Sequence, residues 1–265
     1  MNSIINVDSL VKKFKDFRAV DGITFDVKEG EIFAFLGPNG AGKSTTIKML
    51  TTLLRPTSGK IMLNGNDPVE NRDEARKSFG IVFQDASIDD NLTCYENMYF
   101  HAVLFKVPSE IRKNIIMELL QFVELDNRKK DLVKTFSGGM KRRLEIARGL
   151  LHNPKILFLD EPTLGLDPQT RNHIWNYIKL INKKDGMTVF FTTHYMDEAE
   201  KIADRIAIID HGRIVVTGTP SELKVQTNSG TLEEAFLALT GKSIREDDAS
   251  GVDRLRAMRR GGRRR

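Results

Sequence analysis

The stretch that decides the fold reads Gly37-Pro38-Asn39-Gly40-Ala41-Gly42-Lys43-Ser44. It matches the pattern G-x-x-x-x-G-K-[ST], which requires a strand before it and a helix after it. The apolar run 32–36 predicts the strand, and the pattern over 45–53 predicts the helix. Glycines let successive backbone N–H groups surround an anion, and the helix N-terminus adds the positive end of its dipole. The sequence therefore predicts a phosphate-binding loop that continues to Thr45, with Lys43 on the outer phosphates and Ser44 as a ligand of Mg²⁺.

Two adjacent acids supply the other half of a nucleotide site. The apolar run 156–159 predicts a buried strand, and Asp160 and Glu161 follow it directly. Each acid alone is compatible with a helix cap or a turn. Together with the phosphate-binding loop, we expect Asp160 to hold Mg²⁺ and Glu161 to polarise the water that attacks the terminal phosphate.

The rest of the chain predicts an α/β fold with a mainly parallel sheet. Several apolar runs lack alternation, which is typical of strands that are buried on both faces of a parallel sheet. The predicted strands are 4–7, 23–27, 32–36, 61–63, 81–83, 156–159, 189–192, 206–209 and 214–217. Between 83 and 155 the strand pattern disappears, and helical patterns cover 95–105, 109–123 and 139–152. We therefore expect a helical subdomain at about 85–153. Thr219 and Thr231, each with Glu three residues later, predict two further helix starts.

Composition restricts the class of protein. The chain has 265 residues, of which 40% are hydrophobic and 29% charged, as in ordinary globular proteins. No apolar run approaches the roughly 18 to 20 residues that a membrane-spanning helix needs, and the N-terminus lacks the pattern of a secretory signal. The single cysteine, Cys94, excludes an internal disulfide and a cysteine metal cluster, which fits a reducing cytosol.

The net charge of +5 comes from one end of the chain. Residues 253–265 contain seven arginines and one aspartate, so the preceding part is nearly neutral. We expect 243–265 to be a polar linker and an Arg-rich, disordered tail. Three roles are possible for this tail: a solvated extension, contact with anionic lipid headgroups, or contact with RNA.

A third motif connects these features to a known family. Ser137-Gly138-Gly139-Met140-Lys141 resembles the signature loop of ATP-binding cassette (ABC) ATPases, the motor subunits of ABC transporters, although Met140 replaces the commoner Gln. The resemblance covers roughly residues 3–241, within a cassette domain of 1–242. It implies a P-loop NTPase core with an N-terminal antiparallel β subdomain and an inserted α-helical subdomain. It also implies that Ser137, Gly138 and Gly139 bind the γ-phosphate of ATP held by a second cassette, a homodimer or heterodimer partner.

Other residues follow from the resemblance. Gln84 matches the glutamine that senses Mg²⁺ and the attacking water. His194 matches the histidine that contacts the γ-phosphate, and Asp167 matches the loop that crosses the dimer interface. Phe14 occupies the position where the family stacks an aromatic ring on adenine, and Phe17 is the alternative.

The resemblance implies hydrolysis of ATP with Mg²⁺, coupled to transport through a separate membrane permease. The segments 136–150, 193–200 and 231–241 are similar to ATPase subunits of the ABC-2 group, typified by daunorubicin-type drug exporters. We expect the chain to be soluble when isolated and to lie on the cytoplasmic face of the cell membrane, docked through 85–105 with the aromatic residues Tyr95, Tyr99, Phe100 and Phe105. Two alternatives are a soluble ABC ATPase that acts on nucleic acid or ribosomes, and a regulatory cassette that binds ATP without hydrolysing it. Nucleic acid is disfavoured because the cassette is single and has no sustained heptads, and Glu161 and His194 argue against the regulatory cassette.

Overall fold

Two β-sheets organise the chain in this computed structural model, which describes residues 2–241. The strands are β1 (Ser3–Phe14), β2 (Phe17–Lys28), β3 (Ile32–Leu36), β4 (Ser58–Leu63), β5 (Phe79–Val82), β6 (Ile156–Asp160), β7 (Thr188–Thr193), β8 (Arg205–Asp210) and β9 (Arg213–Gly218). A six-stranded sheet has the order β5-β6-β7-β3-β8-β9, and a three-stranded sheet has the order β2-β1-β4. The predicted linker and Arg-rich tail, 243–265, lie outside the described residues, as does the predicted domain end at 242.

The six-stranded sheet is parallel except at one edge. β3 lies between β7 and β8, and its pairing with both is parallel, whereas β8 and β9 pair antiparallel. All residues of β3, β6 and β7 are buried, which explains why their sequences are apolar without alternation. The carboxyl ends of β3, β5, β6 and β7 therefore meet at one edge of the sheet, where ligands bind in open α/β sheets.

The helices are α1 (Lys43–Leu50), α2 (Arg72–Lys77), α3 (Cys94–Leu104), α4 (Ser109–Phe122), α5 (Gly138–Gly149), α6 (Pro168–Asp185), α7 (Met196–Ile202), α8 (Pro220–Thr227) and α9 (Leu232–Thr240). Two short 3₁₀ turns precede α5. α3, α4 and α5 lie between β5 and β6, so the predicted inserted helical subdomain is confirmed. Its core forms around buried residues such as Met98, Leu120 and Leu144. None of the helices in the described part of the chain combines the length and the apolarity needed to span a bilayer.

Phenylalanine rings fill the space between the two sheets. Phe190 on β7 lies 5.6 to 5.9 Å, between ring centroids, from Phe25, Phe33, Phe35 and Phe158. These are the separations at which aromatic rings interact favourably. The cluster fixes the three-stranded sheet against one face of the six-stranded sheet. It thereby fixes β2, which contacts the phosphate-binding loop where Ala19 packs against Gly42.

The first two strands are longer than the prediction of 4–7 and 23–27. β1 and β2 form one antiparallel hairpin that ends with Phe14 opposite Phe17. The added residues include the exposed Lys13 and Arg18, because the outer end of the hairpin is solvated. α1 also differs from the predicted 45–53, since it begins at Lys43 and ends at Leu50. The short polar helix α2 has no apolar periodicity and was not predicted.

Candidate active site

The phosphate-binding loop connects β3 to α1. Gly42 caps α1 with φ of 109°, a left-handed conformation that favours glycine. A Cβ atom there would lie 2.6 Å from the carbonyl oxygen of Ala19, so the space also excludes a side chain. The free N–H groups at the start of α1 point into the loop, where they can bind an anion.

Lys43 is held inside this loop. Its Nζ atom donates to the carbonyl oxygens of Gly37 at 2.8 Å and of Pro38 at 3.2 Å, and it lies 3.2 Å from Oε1 of Glu161. Burial lowers the pKa of the Lys43 ammonium below its ordinary value, and the charges of Glu161 and Asp160 oppose this shift. The Lys43 ammonium therefore connects the phosphate-binding loop to Glu161, which directly follows β6.

The two acids play different structural parts. Asp160 is the last residue of β6, and its Oδ1 atom accepts from Ser44 Oγ at 3.2 Å and from Thr192 Oγ1 at 2.6 Å. Glu161 has φ of 46°, which turns its side chain out of the strand direction toward Lys43. Its N–H donates to Thr192 Oγ1 at 3.0 Å. Thr192 on the neighbouring strand thus orients both acids.

His194 completes the charged group around Glu161. Its Nδ1 atom lies 3.1 Å from Glu161 Oε2, and because a carboxylate only accepts, this nitrogen carries the proton. Burial raises the pKa of Glu161. The hydrogen bond from His194 and the charge of Lys43 lower this pKa by more than burial raises it, so the net pKa lies below the ordinary value. Glu161 is therefore ionised near neutral pH and can accept a proton.

A cleft of about 410 Å³ brings most of the predicted residues together. It is lined by Phe14, Phe17, Ala19, Pro38, Asn39, Gly40, Gly42, Lys43, Ser44, Thr45, Gln84 and Glu161. Gly37 and Ala41 belong to the same loop without lining the cleft, and Asp160 contacts it through Ser44. Phe14 and Phe17 are both exposed at its rim, 46% and 65% respectively, so the geometry leaves both available to a flat ring. Lys12 lies over the Phe14 ring at 5.1 Å.

The predicted signature loop lies elsewhere. Among the described residues, those that line the cleft include none of Ser137, Gly138, Gly139 and Asp167. Ser137 instead caps α5, since its Oγ accepts from the N–H of Met140 at 3.3 Å. Within one copy of the chain, the predicted signature loop therefore does not line the cleft of the phosphate-binding loop.

The signature loop packs against the start of α6. A Cβ atom on Gly139 would lie 2.5 Å from Thr170 Cγ2. Thr170 is itself fixed by Asp167, which caps α6 by accepting from the N–H of Thr170 at 3.0 Å and from its hydroxyl at 2.6 Å. The signature loop and the Asp167 segment therefore form one surface.

The oxygen atoms near Ser44 fit a magnesium ion. A serine hydroxyl and an aspartate carboxylate lie within hydrogen-bond distance of each other, and the amide of Gln84 lines the same cleft. Mg²⁺ prefers hard oxygen ligands and commonly takes only one or two carboxylates in addition to the phosphates of its substrate. Residues 2–241 contain no group of three or more His, Cys, Asp or Glu side chains arranged to hold a metal.

Sequence reasoning missed three contributors to the site. Thr192 was predicted only as a strand residue, although it contacts both acids. Arg142, on the first turns of α5, donates to backbone carbonyls around Glu161. Glu198 accepts from the hydroxyl of Thr163, just after the acids, at 2.7 Å. From sequence, a charged residue such as Arg142 on a helix is indistinguishable from a solvated charge.

Comparison with known proteins agrees with this geometry. Residues 20–164 match the ABC transporter family. The chain is 44% identical to the daunorubicin/doxorubicin resistance ATP-binding protein DrrA of Streptomyces peucetius, over 86% of this chain and 69% of that protein. It is 40% identical to the linearmycin resistance ATP-binding protein LnrL of Bacillus subtilis strain 168, over 88% of this chain and 78% of that protein.

The fold is also shared with a solved ATP-binding cassette. A dimeric post-hydrolysis state of that cassette, bound to ADP and phosphate, superposes with a TM-score of 0.73 at 28% identity and covers 81% of this chain and 98% of that one. Proteins of this family work with membrane permeases, and their ATP-binding subunits dimerise. With the phosphate-binding loop, the ionised acid and these relatives taken together, the chain belongs to the ABC transporter family, as an ATP-binding subunit with ATPase activity.

Proposed function

We propose that this subunit drives an ABC-2 type exporter of drugs, lipids or other hydrophobic cargo. Two relatives are named as resistance proteins for daunorubicin/doxorubicin and for linearmycin, which supports export of such compounds. The chain would act at the cytoplasmic face of the membrane, held there by a separate permease. Because the relatives are named as drug-resistance ATP-binding proteins, transport is favoured over action on nucleic acid.

Binding of ATP follows from the cleft. The N–H groups at the start of α1 and the ammonium of Lys43 would hold the β- and γ-phosphates. Phe14 would stack on adenine, since it lies at the end of β1 on the rim of the cleft. Ser44, Asp160 and Gln84 would hold Mg²⁺, which when bound neutralises charge that develops on the phosphates.

Hydrolysis would use Glu161 as the group that accepts the proton of the attacking water. The water oxygen attacks the γ-phosphorus, the bond to the β–γ bridging oxygen breaks, and ADP and phosphate leave. His194 holds the carboxylate through Nδ1–H, and Lys43 lies on its other oxygen. The contact with His194 orients the acid before substrate binds and does not depend on Lys43, so little reorganisation is needed in the transition state.

A second copy or a related cassette would complete the site. Ser137, Gly138 and Gly139 do not line the cleft of their own chain, and Ser137 and Gly138 are exposed at the start of α5. At a helix N-terminus they would bind the γ-phosphate held by the partner, and Asp167 would lie beside them in the dimer interface. Loss of the γ-phosphate would remove these contacts, so the closed dimer would open after hydrolysis.

The observation that carries the coupling to a permease is the exposed face of α3, which we call the α3 face: Tyr99, Phe100, Val103 and Leu104. Their exposures are 39%, 54%, 44% and 73%. Of the four aromatic residues predicted for docking, Tyr95 and Phe105 are instead packed inward, and Phe105 stacks on His152 at 4.1 Å. Exposed apolar side chains grouped on one helix are typical of an interface.

Co-purification tests this proposal. The chain is expressed with the membrane protein encoded by the neighbouring open reading frame, and a tag on this chain is used to recover the complex. We expect Phe100→Asp to abolish recovery of the membrane protein and to leave the ATPase activity of the isolated chain unchanged. Val225→Asp is the control, because Val225 is an apolar residue that is 81% exposed but lies on α8 and not on α3. Failure of the wild-type pair to co-purify, or recovery with Phe100→Asp, would contradict the proposal.

A further inference from the structure

Arg142 is a buried arginine whose five N–H donors all have acceptors. It is 7% exposed on α5, five residues after the serine that caps this helix. Nε donates to the carbonyl of Pro162 at 2.6 Å, and one terminal nitrogen donates to the carbonyls of Asp160 at 3.1 Å and of Glu161 at 2.9 Å. The other terminal nitrogen donates to the carbonyl of Phe83 and to Glu145 Oε2 at 3.2 Å. Arginine has five N–H donors in a rigid planar fork, so no other side chain can make this set of hydrogen bonds.

The acceptors of Arg142 belong to the two segments that carry the chemistry. Three successive carbonyls, those of residues 160–162, surround the proposed water-polarising acid. The fourth carbonyl, of Phe83, directly precedes Gln84. One guanidinium therefore joins the carboxyl ends of β5 and β6 to the helix that starts at the signature loop.

The backbone at Glu161 needs such support. Its φ of 46° lies in the left-handed region, which is unfavourable for a residue with a side chain and persists only where the surroundings impose it. Thr192 holds the N–H of Glu161, and Arg142 holds its carbonyl oxygen. The peptide groups on both sides of the Glu161 Cα are thus fixed, and this fixes the direction of the carboxylate toward Lys43 and His194.

The same face of α5 also holds the segment after Gln84. Glu145, one turn beyond Arg142, accepts from the N–H of Ser87 at 2.7 Å. Arg148, one further turn on, donates to the carbonyl of Ser87 at 2.6 Å. Arg142, Glu145 and Arg148 therefore form a charged stripe at helical spacing that contacts both segments.

We propose that Arg142 is a positioning residue for ATP hydrolysis, which sets the orientation of Glu161 and of Gln84 relative to the signature helix. It does not reach the nucleotide itself. When α5 moves with the signature loop, Arg142 moves the two segments with it, so their orientation depends on the position of that loop. The inference rests on the proposed role of Glu161.

The test compares two charge-conserving substitutions on the same helix in the full chain. Arg142→Lys keeps the positive charge, but three donors cannot serve five acceptors. We expect kcat to fall roughly 10- to 100-fold while the KM for ATP changes little, because misplacement of a catalytic group acts on the chemical step. Arg143→Lys is the control, since Arg143 interacts with Val123, Glu124 and Tyr177 and not with the segments that carry Gln84 and Glu161. It should leave both constants near their wild-type values.

Hydrogen exchange separates positioning from a general loss of stability. In Arg142→Lys we expect faster amide exchange in 79–87 and 160–166, with α1 and the hairpin unchanged. A uniform increase of exchange across the chain, with kcat reduced in proportion to the folded fraction, would overturn the inference. So would an unchanged kcat. Glu145→Gln provides a second variant, milder because it retains an acceptor for Ser87, and it should show a smaller fall of kcat with the same exchange pattern.

Glu161→Gln is measured in parallel so that two failures can be told apart. If Glu161→Gln hydrolyses ATP at the wild-type rate, the proposed role of Glu161 is wrong, and the inference falls with it. If Glu161→Gln is inactive and Arg142→Lys retains full kcat, only the role of Arg142 is wrong.

Discussion

The ammonium of Lys43 lies 3.2 Å from the carboxylate of Glu161, and both side chains are more than 90% buried. The residue proposed to hold phosphate and the residue proposed to accept the proton of water are therefore one buried ion pair. Removing one partner of such a pair leaves an uncompensated charge in a poorly solvated place. The resulting loss of stability is larger than the net stabilisation that the pair provides. A phosphate that binds in the loop competes with Glu161 for the same ammonium.

For Lys43→Ala we expect weaker binding of ATP, by about 10- to 100-fold, since a charge-assisted contact to phosphate is lost. We also expect a lower melting temperature, because Glu161 loses its cationic neighbour. Titration with a fluorescent ATP analogue measures the first effect and thermal unfolding measures the second. In the double variant Lys43→Ala/Glu161→Gln, part of the stability should return, because the lone carboxylate is gone. Wild-type affinity in Lys43→Ala would show that the lysine does not contact phosphate.

For Glu161→Gln we expect ATP binding to persist and the rate of phosphate release to fall by about 10²- to 10⁴-fold, the range for loss of a general base. Because ATP is then not consumed, a dimer should accumulate, and size-exclusion chromatography with ATP detects it. Glu118→Gln, the same change at an exposed position of α4, serves as the control and should alter neither quantity. Normal hydrolysis in Glu161→Gln would mean that another group accepts the proton.

Phe14 and Phe17 face each other across the end of the hairpin, and only substitution separates their roles. We expect Phe14→Ala to weaken ATP binding about fivefold, because stacking between aromatic rings contributes on the order of 1 kcal/mol. Phe17→Ala should change the affinity by less than about twofold. Calorimetric titration of both variants with ATP decides between them, and the opposite ranking would assign adenine to Phe17.

His101 makes the stability of the helical subdomain dependent on pH. Burial lowers its pKa from 6.5 to about 3, and the positive charges of Arg148 and His152 add to the shift. Between these two values the unfolded chain binds a proton that the folded chain does not, so stability falls as the pH falls through this window. The free energy of unfolding in urea should fall between about pH 7.5 and about pH 5, and it should fall by less for His101→Gln than for the wild type. Equal losses would show that His101 does not titrate as described.

The phosphate-binding loop and the two acids could be predicted because each is a local pattern. Glycines, Lys43 and Ser44 are contiguous, and the Asp160-Glu161 pair follows directly from the end of an apolar run. The parallel sheet then brings Gln84 and His194 to the same edge, since each follows a strand of that sheet.

The residues that hold these groups in place could not be predicted in the same way. Thr192 is separated from Asp160 by 32 positions, and Arg142 from Phe83 by 59. Threonine in a strand and arginine in a helix are common, so their types carry no signal. Their function depends on which carbonyls and carboxylates the finished fold places beside them. The extent of the first hairpin was underestimated for a different reason: its outer end, where Lys13 pairs with Arg18 and Phe14 with Phe17, is exposed and has no apolar run.

The close approach of Gly139 to Thr170 has a consequence for how this surface can change in sequence. A methyl group on residue 139 would lie 2.5 Å from the methyl carbon of Thr170, so the two methyl groups cannot both be accommodated without a shift. Thr170 is in turn the hydroxyl partner of Asp167. Gly139→Ala should therefore be tolerated better together with Thr170→Ser, which keeps the hydroxyl and removes the methyl group, than beside the wild-type threonine. The two segments that a neighbouring cassette would meet therefore constrain each other's side chains, although Gly139 and Thr170 are 31 positions apart in the chain.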